Sequence, residues 1–283
     1  HLSNSQGFEK DIADAIKEQY LPVGLDSIVP KKPFSITLSL SDKIDTLVGF
    51  FGVNEKPSSS KDPYALRRTA LGIIRIIIEN KKDLRVKDLI SYSSNFYLNQ
   101  GFSFQNKFLQ NDILIFLKDR FKYYLKEKNI RHDIIEASIN IFDLNKISLQ
   151  FEKSKSLNKV INTRLGNEII SSYKRAYNIL QSEVRDSKKE LSNATDPGIF
   201  KTEFENNLYK KINELRKYFS RNSREENFEE TLKLLSGAKK EIFDFFDNVK
   251  VNDENSSIKK NRLELINILC KTFENYTDFH LIE

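Results

Sequence analysis

Three histidines and one cysteine bound the chemistry open to this chain of 283 residues. His132 is followed directly by Asp133, and an adjacent His–Asp pair can hold a divalent metal for phosphate hydrolysis when a second His and Asp join it. The other histidines are His1 and His280, so the dyad has no partner histidine nearby in sequence. A helix-start His with Asp in the first turn is the simpler reading. Cys270 stands alone, which leaves no intrachain disulfide or multi-Cys metal site and fits a reducing compartment. Asp42 and Asp45 lie three apart on one face of a predicted helix. Paired carboxylates can bind Mg²⁺ or act as acid and base. Here the next helix supplies Arg67 and Arg68, and a structural ion pair joining Asp42 or Asp45 to Arg67 is expected instead. Neither GxxxxGK[ST] nor GxGxxG occurs, so no phosphate-cradling loop is available.

What remains is "SSYKRAYNIL", in which Lys174, Arg175 and Asn178 share a helix face at i, i+1 and i+4 beside Tyr173 and Tyr177. Cations with an amide and aromatic rings are what a phosphate backbone and unstacked bases require. Tyrosines at i and i+4 serve packing equally well. The net charge of +6 is modest, but it is unevenly spread: +3 over residues 1–107, +5 over 108–180 and −2 over 181–283. The basic middle contains Arg120, Lys122 and Lys126.

These residues need elements to hold them. The chain is 30% charged with only 9 Gly and 6 Pro, a balance that predicts an all-α protein of roughly two domains. No long apolar run occurs, so a soluble, cytoplasmic protein without membrane spans is expected. The sequence opens at His1 and contains no Met, and it reads as part of a longer chain. "EKDIADAIKEQYLP" predicts an amphipathic helix with Ile12, Ala15, Ile16 and Tyr20 on one face. "SITLSLSDKIDTLVGFFG" begins with strand-like alternation, yet Leu40, Ile44, Leu47, Val48 and Phe51 follow at helical spacing, and a helix is predicted. A further helix should start near Pro63, after Asp62, and run through "ALRRTALGIIRIIIEN" with Arg67 on an apolar ridge and Arg68, Gly72 and Arg75 on a polar strip. "NQGFSFQNK" reads as the link between two units. Beyond it come "NDILIFLKDRFKYYLKEKN", "RHDIIEASINIF", "LNKISLQFEKSKSLNKVI" and "NEIISSYKRAYNILQSEV". Two long helices, "FKTEFENNLYKKINELRKYFS" and "FEETLKLLSGAKKEIFDFFDNV", precede a last one in "SIKKNRLELINILCKTFENY".

Three stretches carry a resemblance. "LSDKIDTLVGFFGVNEKPSSSKDPYALRRTALGIIRIIIEN", "YKRAYNIL" and "FFDNVKVNDENSSIKKNRLELINIL" together resemble the β subunits of bacterial heterotetrameric glycyl-tRNA synthetases over nearly the whole chain. The resemblance implies a partial, degenerate domain related to the HD phosphohydrolases at residues 1–107 and a helical anticodon-binding domain at 108–283. It implies that Arg120, Lys122, Lys126, Lys174, Arg175, Asn178 and Arg262 contact glycine tRNA. It also implies a non-catalytic segment with no cofactor or metal of its own. ATP and Mg²⁺ would be used through the α subunit of an α2β2 assembly that glycylates tRNA. The alternatives are an HD-type metal-dependent phosphohydrolase and a helical module that only joins subunits.

Overall fold

The computed structural model describes all residues except 1, 25, 141–145, 186–190, 193 and 222–226. Among the described residues there are thirteen α-helices and no strand. Contacts divide the chain into two compact units, His1–Asn129 with Phe142–Phe151, and Ile130–Ile141 with Glu152–Glu283.

The first unit holds α1 (Leu2–Ser5), α2 (Lys10–Glu18), α3 (Pro33–Gly52), α4 (Leu66–Glu79), α5 (Val86–Asn99) and α6 (Leu109–Glu127). In α3 the strand-like opening is overridden: Pro33 sits in the first turn with its fixed φ, and Ile36, Leu40, Ile44, Leu47, Val48 and Phe51 are all buried. Helix α4 starts at Leu66, later than Pro63, because Ala65 at its N-cap takes the left-handed conformation with φ 52°, and Asp62 supplies acceptors from upstream. Its two carboxylate oxygens accept the backbone N–H groups of Leu66 at 2.8 Å and Arg67 at 3.0 Å. The apolar face predicted for α2 is largely uncovered: Ala15 is buried, whereas Ile12, Ile16 and Tyr20 are exposed.

The expected boundary at 107/108 does not hold, since α6 belongs to the first unit. Asn106 is the reason. Its side chain donates to the Phe51 carbonyl at 3.2 Å and to Asp112 at 2.8 Å, and it accepts the Phe108 N–H at 2.9 Å. The supposed link thus ties the C-terminus of α3 to the N-terminus of α6. Ile113, Leu117, Phe121 and Leu125 then seal α6 into the same core at helical spacing.

The second unit holds α7 (His132–Asn140), α9 (Arg164–Arg185), α10 (Glu203–Arg221), α11 (Phe228–Ser236), α12 (Lys239–Asn248) and α13 (Ser256–Glu274). Helix α8 (Ile147–Val160) is shared, its residues to Phe151 grouping with the first unit and the rest with the second. Helix α13 is central, for every residue from Asn261 to Cys270 is buried, and it packs on α9 and α10. The long helix predicted over "FEETLKLLSGAKKEIFDFFDNV" is two helices, broken at Gly237 and Ala238, with Ala238 completely buried at the corner. Part of "RHDIIEASINIF" and the start of "LNKISL" lie outside the described residues. No described helix is long and apolar enough to cross a membrane.

Candidate nucleic-acid interface

The expected RNA contacts fall on different units. Arg120, Lys122 and Lys126 are on α6 in the first unit, and Lys174, Arg175 and Asn178 are on α9 in the second. They therefore do not form one basic surface within a single unit.

On α9 the packing residues sort themselves from the accessible ones. Tyr173 is buried and donates its hydroxyl to Glu274 at 3.0 Å, and burial pushes its pKa far up. It is core, not a base-stacking ring. Tyr177 stacks on His280 with ring centres 4.9 Å apart. Arg175 is partly committed: it meets Asp247 of α12 at 2.6 Å and lies over the rings of Phe243 and Phe246, 4.8 Å and 5.3 Å from their centres. Its position is fixed, and about a third of its side chain remains accessible. Lys174 is half-buried without an ion-pair partner among the described residues, and Asn178 is exposed.

Arg262 is a correction. Expected to touch RNA, it is buried in α13 and donates from Nε to Glu205 at 2.8 Å and from a terminal nitrogen to Asp253 and the Lys250 carbonyl, each at 2.8 Å. Glu205 also closes a capping box at the start of α10, accepting the N–H groups of Lys201 and Thr202 at 2.8 Å. Burial raises the Glu205 pKa, but the Arg262 guanidinium and the two N–H groups outweigh it and hold the carboxyl below its ordinary value.

The expected ion pair in the first unit is a second correction. Asp45 accepts from the Tyr97 hydroxyl at 3.1 Å and from Ser93 at 3.3 Å, both on α5, while the Arg67 guanidinium donates to the Ser58 carbonyl. Asp42 is shifted upward by burial rather than held down by an arginine. Helix α5 supplied a hydroxyl partner that spacing within α3 and α4 could not reveal.

Within the His132–Asp133 pair, the Asp133 carboxylate is committed to structural contacts. Arg131 grips both oxygens of Asp133 at 2.6 Å and 3.1 Å, and Asp133 accepts the N–H of Glu283 at 3.0 Å. No group of three or more metal-ligating side chains exists among the described residues.

Sequence reasoning overlooked a lysine-lined groove between α10 and α12. A cavity of about 330 Å³ is bordered there by Asn207, Lys210, Lys211 and Lys240, with Glu214, Glu241 and Asp244 among them. Lys211 is partly neutralised by Glu214 at 3.1 Å, whereas Lys210 and Lys240 are exposed. The signal was present as two Lys–Lys pairs, at 210–211 and 239–240, on helices that looked merely solvated.

The model of the family described as glycyl-tRNA synthetase beta subunit matches residues 1–140, and that of the DALR anticodon binding domain matches residues 169–281. Proteins named glycine–tRNA ligase beta subunit from Rickettsia africae and Rickettsia peacockii are 36% and 37% identical over 281 residues, covering 99% of this chain and 40% of theirs. The protein of the same name from Cereibacter sphaeroides is 31% identical over 284 residues, 100% of this chain and 41% of its own. The chain belongs to the glycyl-tRNA synthetase beta-subunit family. It spans about two fifths of the length of the curated relatives that it matches. In this beta-subunit family member the anticodon-binding match runs from α9 to the short 3₁₀ turn Phe279–Leu281, and so takes in Lys174, Arg175, Asn178 and the α10–α12 groove.

Proposed function

We propose that the second unit binds glycine tRNA through its anticodon arm and that the chain serves recognition within a glycine–tRNA ligase. The observation that carries this is the coincidence of the anticodon-binding match at 169–281 with the accessible cations and amides of α9, α10 and α12. Lys174 and Asn178 supply a cation and an amide on one face, and Lys210 and Lys240 supply further cations. Such groups position a phosphate backbone, and an accessible amide can read a base edge. Glycyl transfer, with ATP and Mg²⁺, is assigned to an α subunit in the cytoplasm, and this chain makes no bond itself. The degenerate HD-related reading of the first unit is part of the same proposal.

The test is the affinity of the 283-residue chain for glycine tRNA across a KCl series. Each phosphate neutralised contributes roughly 0.7 to 0.9 to the slope of log affinity against log salt, and Lys174→Ala should reduce the slope by about that amount. Binding that does not respond to salt contradicts the assignment.

A further inference from the structure

The first unit contains a cavity of about 520 Å³ whose border carries four arginines, Arg67, Arg68, Arg75 and Arg120, against the single carboxylate of Asp62. None of the functions assigned above uses it. Its electrostatics follow from what each group is already doing. Asp62 is spent on the N–H groups that open α4. Arg75 is saturated by Glu79 at 2.7 Å and by the carbonyls of Gly24 and Ser27, each at 2.6 Å, and is a strut for the loop that forms one wall. Arg67 gives one donor to Ser58. Two guanidinium groups are left. Among the described residues Arg68 is exposed and has no carboxylate partner, and Arg120 keeps a buried Nε with no hydrogen-bond partner and lies over the Phe116 ring, 5.8 Å from its centre. A desolvated donor without an acceptor is unfavourable, and an oxyanion would satisfy it.

The remaining border is largely apolar. Pro22 and Leu71 contribute hydrocarbon, and Tyr123 contributes an accessible ring. Gly72, also on the border, lies where the Lys43 side chain of α3 approaches α4 closely: a Cβ there would lie 2.7 Å from Cε of Lys43. The volume lies within the range of sites for small organic ligands and far exceeds what a bare phosphate fills. Guanidinium forks match phosphate geometry bidentately, and an aromatic ring beside them offers a stacking face.

We infer that this cavity binds a nucleoside phosphate, with the phosphate between Arg68 and Arg120 and the base against Tyr123. No covalent step is involved, and the inference is independent of the tRNA contacts placed on the second unit.

Calorimetric titration of the 283-residue chain with adenosine 5′-monophosphate tests it, with adenosine and inorganic phosphate titrated separately. The nucleotide should bind with a Kd of about 1 mM or tighter, and about tenfold more tightly than either half. Arg68→Ala, at an exposed position, should weaken it about tenfold, and Arg120→Met, which keeps the hydrocarbon stem, should do the same with the melting temperature little changed. Should Arg120→Met fail to fold, Tyr123→Leu replaces it and should bring the nucleotide's affinity down to that of phosphate. A 5′-phosphorylated RNA trinucleotide assigns the source: displacement of the nucleotide marks a strand end as the ligand, and no displacement marks a free nucleotide. The inference is overturned if the nucleotide binds no better than phosphate, or if Arg68→Ala leaves its affinity unchanged.

Discussion

Arg262 holds three partners at once, and removing it would leave Glu205 buried with a charge and no counter-ion. Arg262→Met should therefore cost about 3 to 5 kcal/mol of unfolding free energy, read by urea denaturation of the second unit's transition. The same node sets a pH dependence. The Glu205 carboxyl is depressed in the folded chain, as is Asp253, where the Asn255 N–H is the largest cause and Arg262 adds to it. A depressed carboxyl contributes stability above its unfolded pKa, about 4, and loses it as pH falls through the folded value. The gap between wild type and Arg262→Met should be full near neutrality and should narrow below about pH 4. None of this was legible beforehand, because "NRLELINIL" shows an arginine but not that its helix is surrounded on all sides. Asp45 teaches the same lesson in reverse: its charge was visible, while its partner Tyr97 lies 52 positions away on α5.

At the scale of elements, helical periodicity predicted most of the helices, including α3 against its strand-like opening, since period and apolar spacing are local properties. Ends and breaks depended on single side chains. Ala65, in the left-handed region, sets the start of α4 at Leu66, and Gly237 with buried Ala238 turns one predicted helix into α11 and α12. Asn106 converts a predicted domain link into an internal tie. Asn106→Ala would strip partners from the Phe51 carbonyl, Asp112 and the Phe108 N–H. It should cost about 1 to 3 kcal/mol, measured as loss of stability of the first unit, and hydrogen exchange should quicken at the start of α6.

For the whole molecule, the basic middle of the sequence is divided between two units, so its +5 charge is not one RNA-binding face. The segment from 181 onward is even net acidic. On the proposed reading, recognition by the second unit rests on a few placed cations rather than on bulk charge, with Lys210 and Lys240 bordered by Glu214, Glu241 and Asp244. The resemblance implied a second domain at 108–283, and burial shows which cations of the second unit face outward and which, like Arg262, hold the core. The most direct test is a nuclease footprint of glycine tRNA with the 283-residue chain, comparing wild type with a Lys174→Ala, Lys240→Ala double variant. Protection of the anticodon loop by wild type, weakened in a double variant that melts at the same temperature, is the expected result. Protection confined to other parts of the tRNA, or unchanged in the double variant, would contradict it.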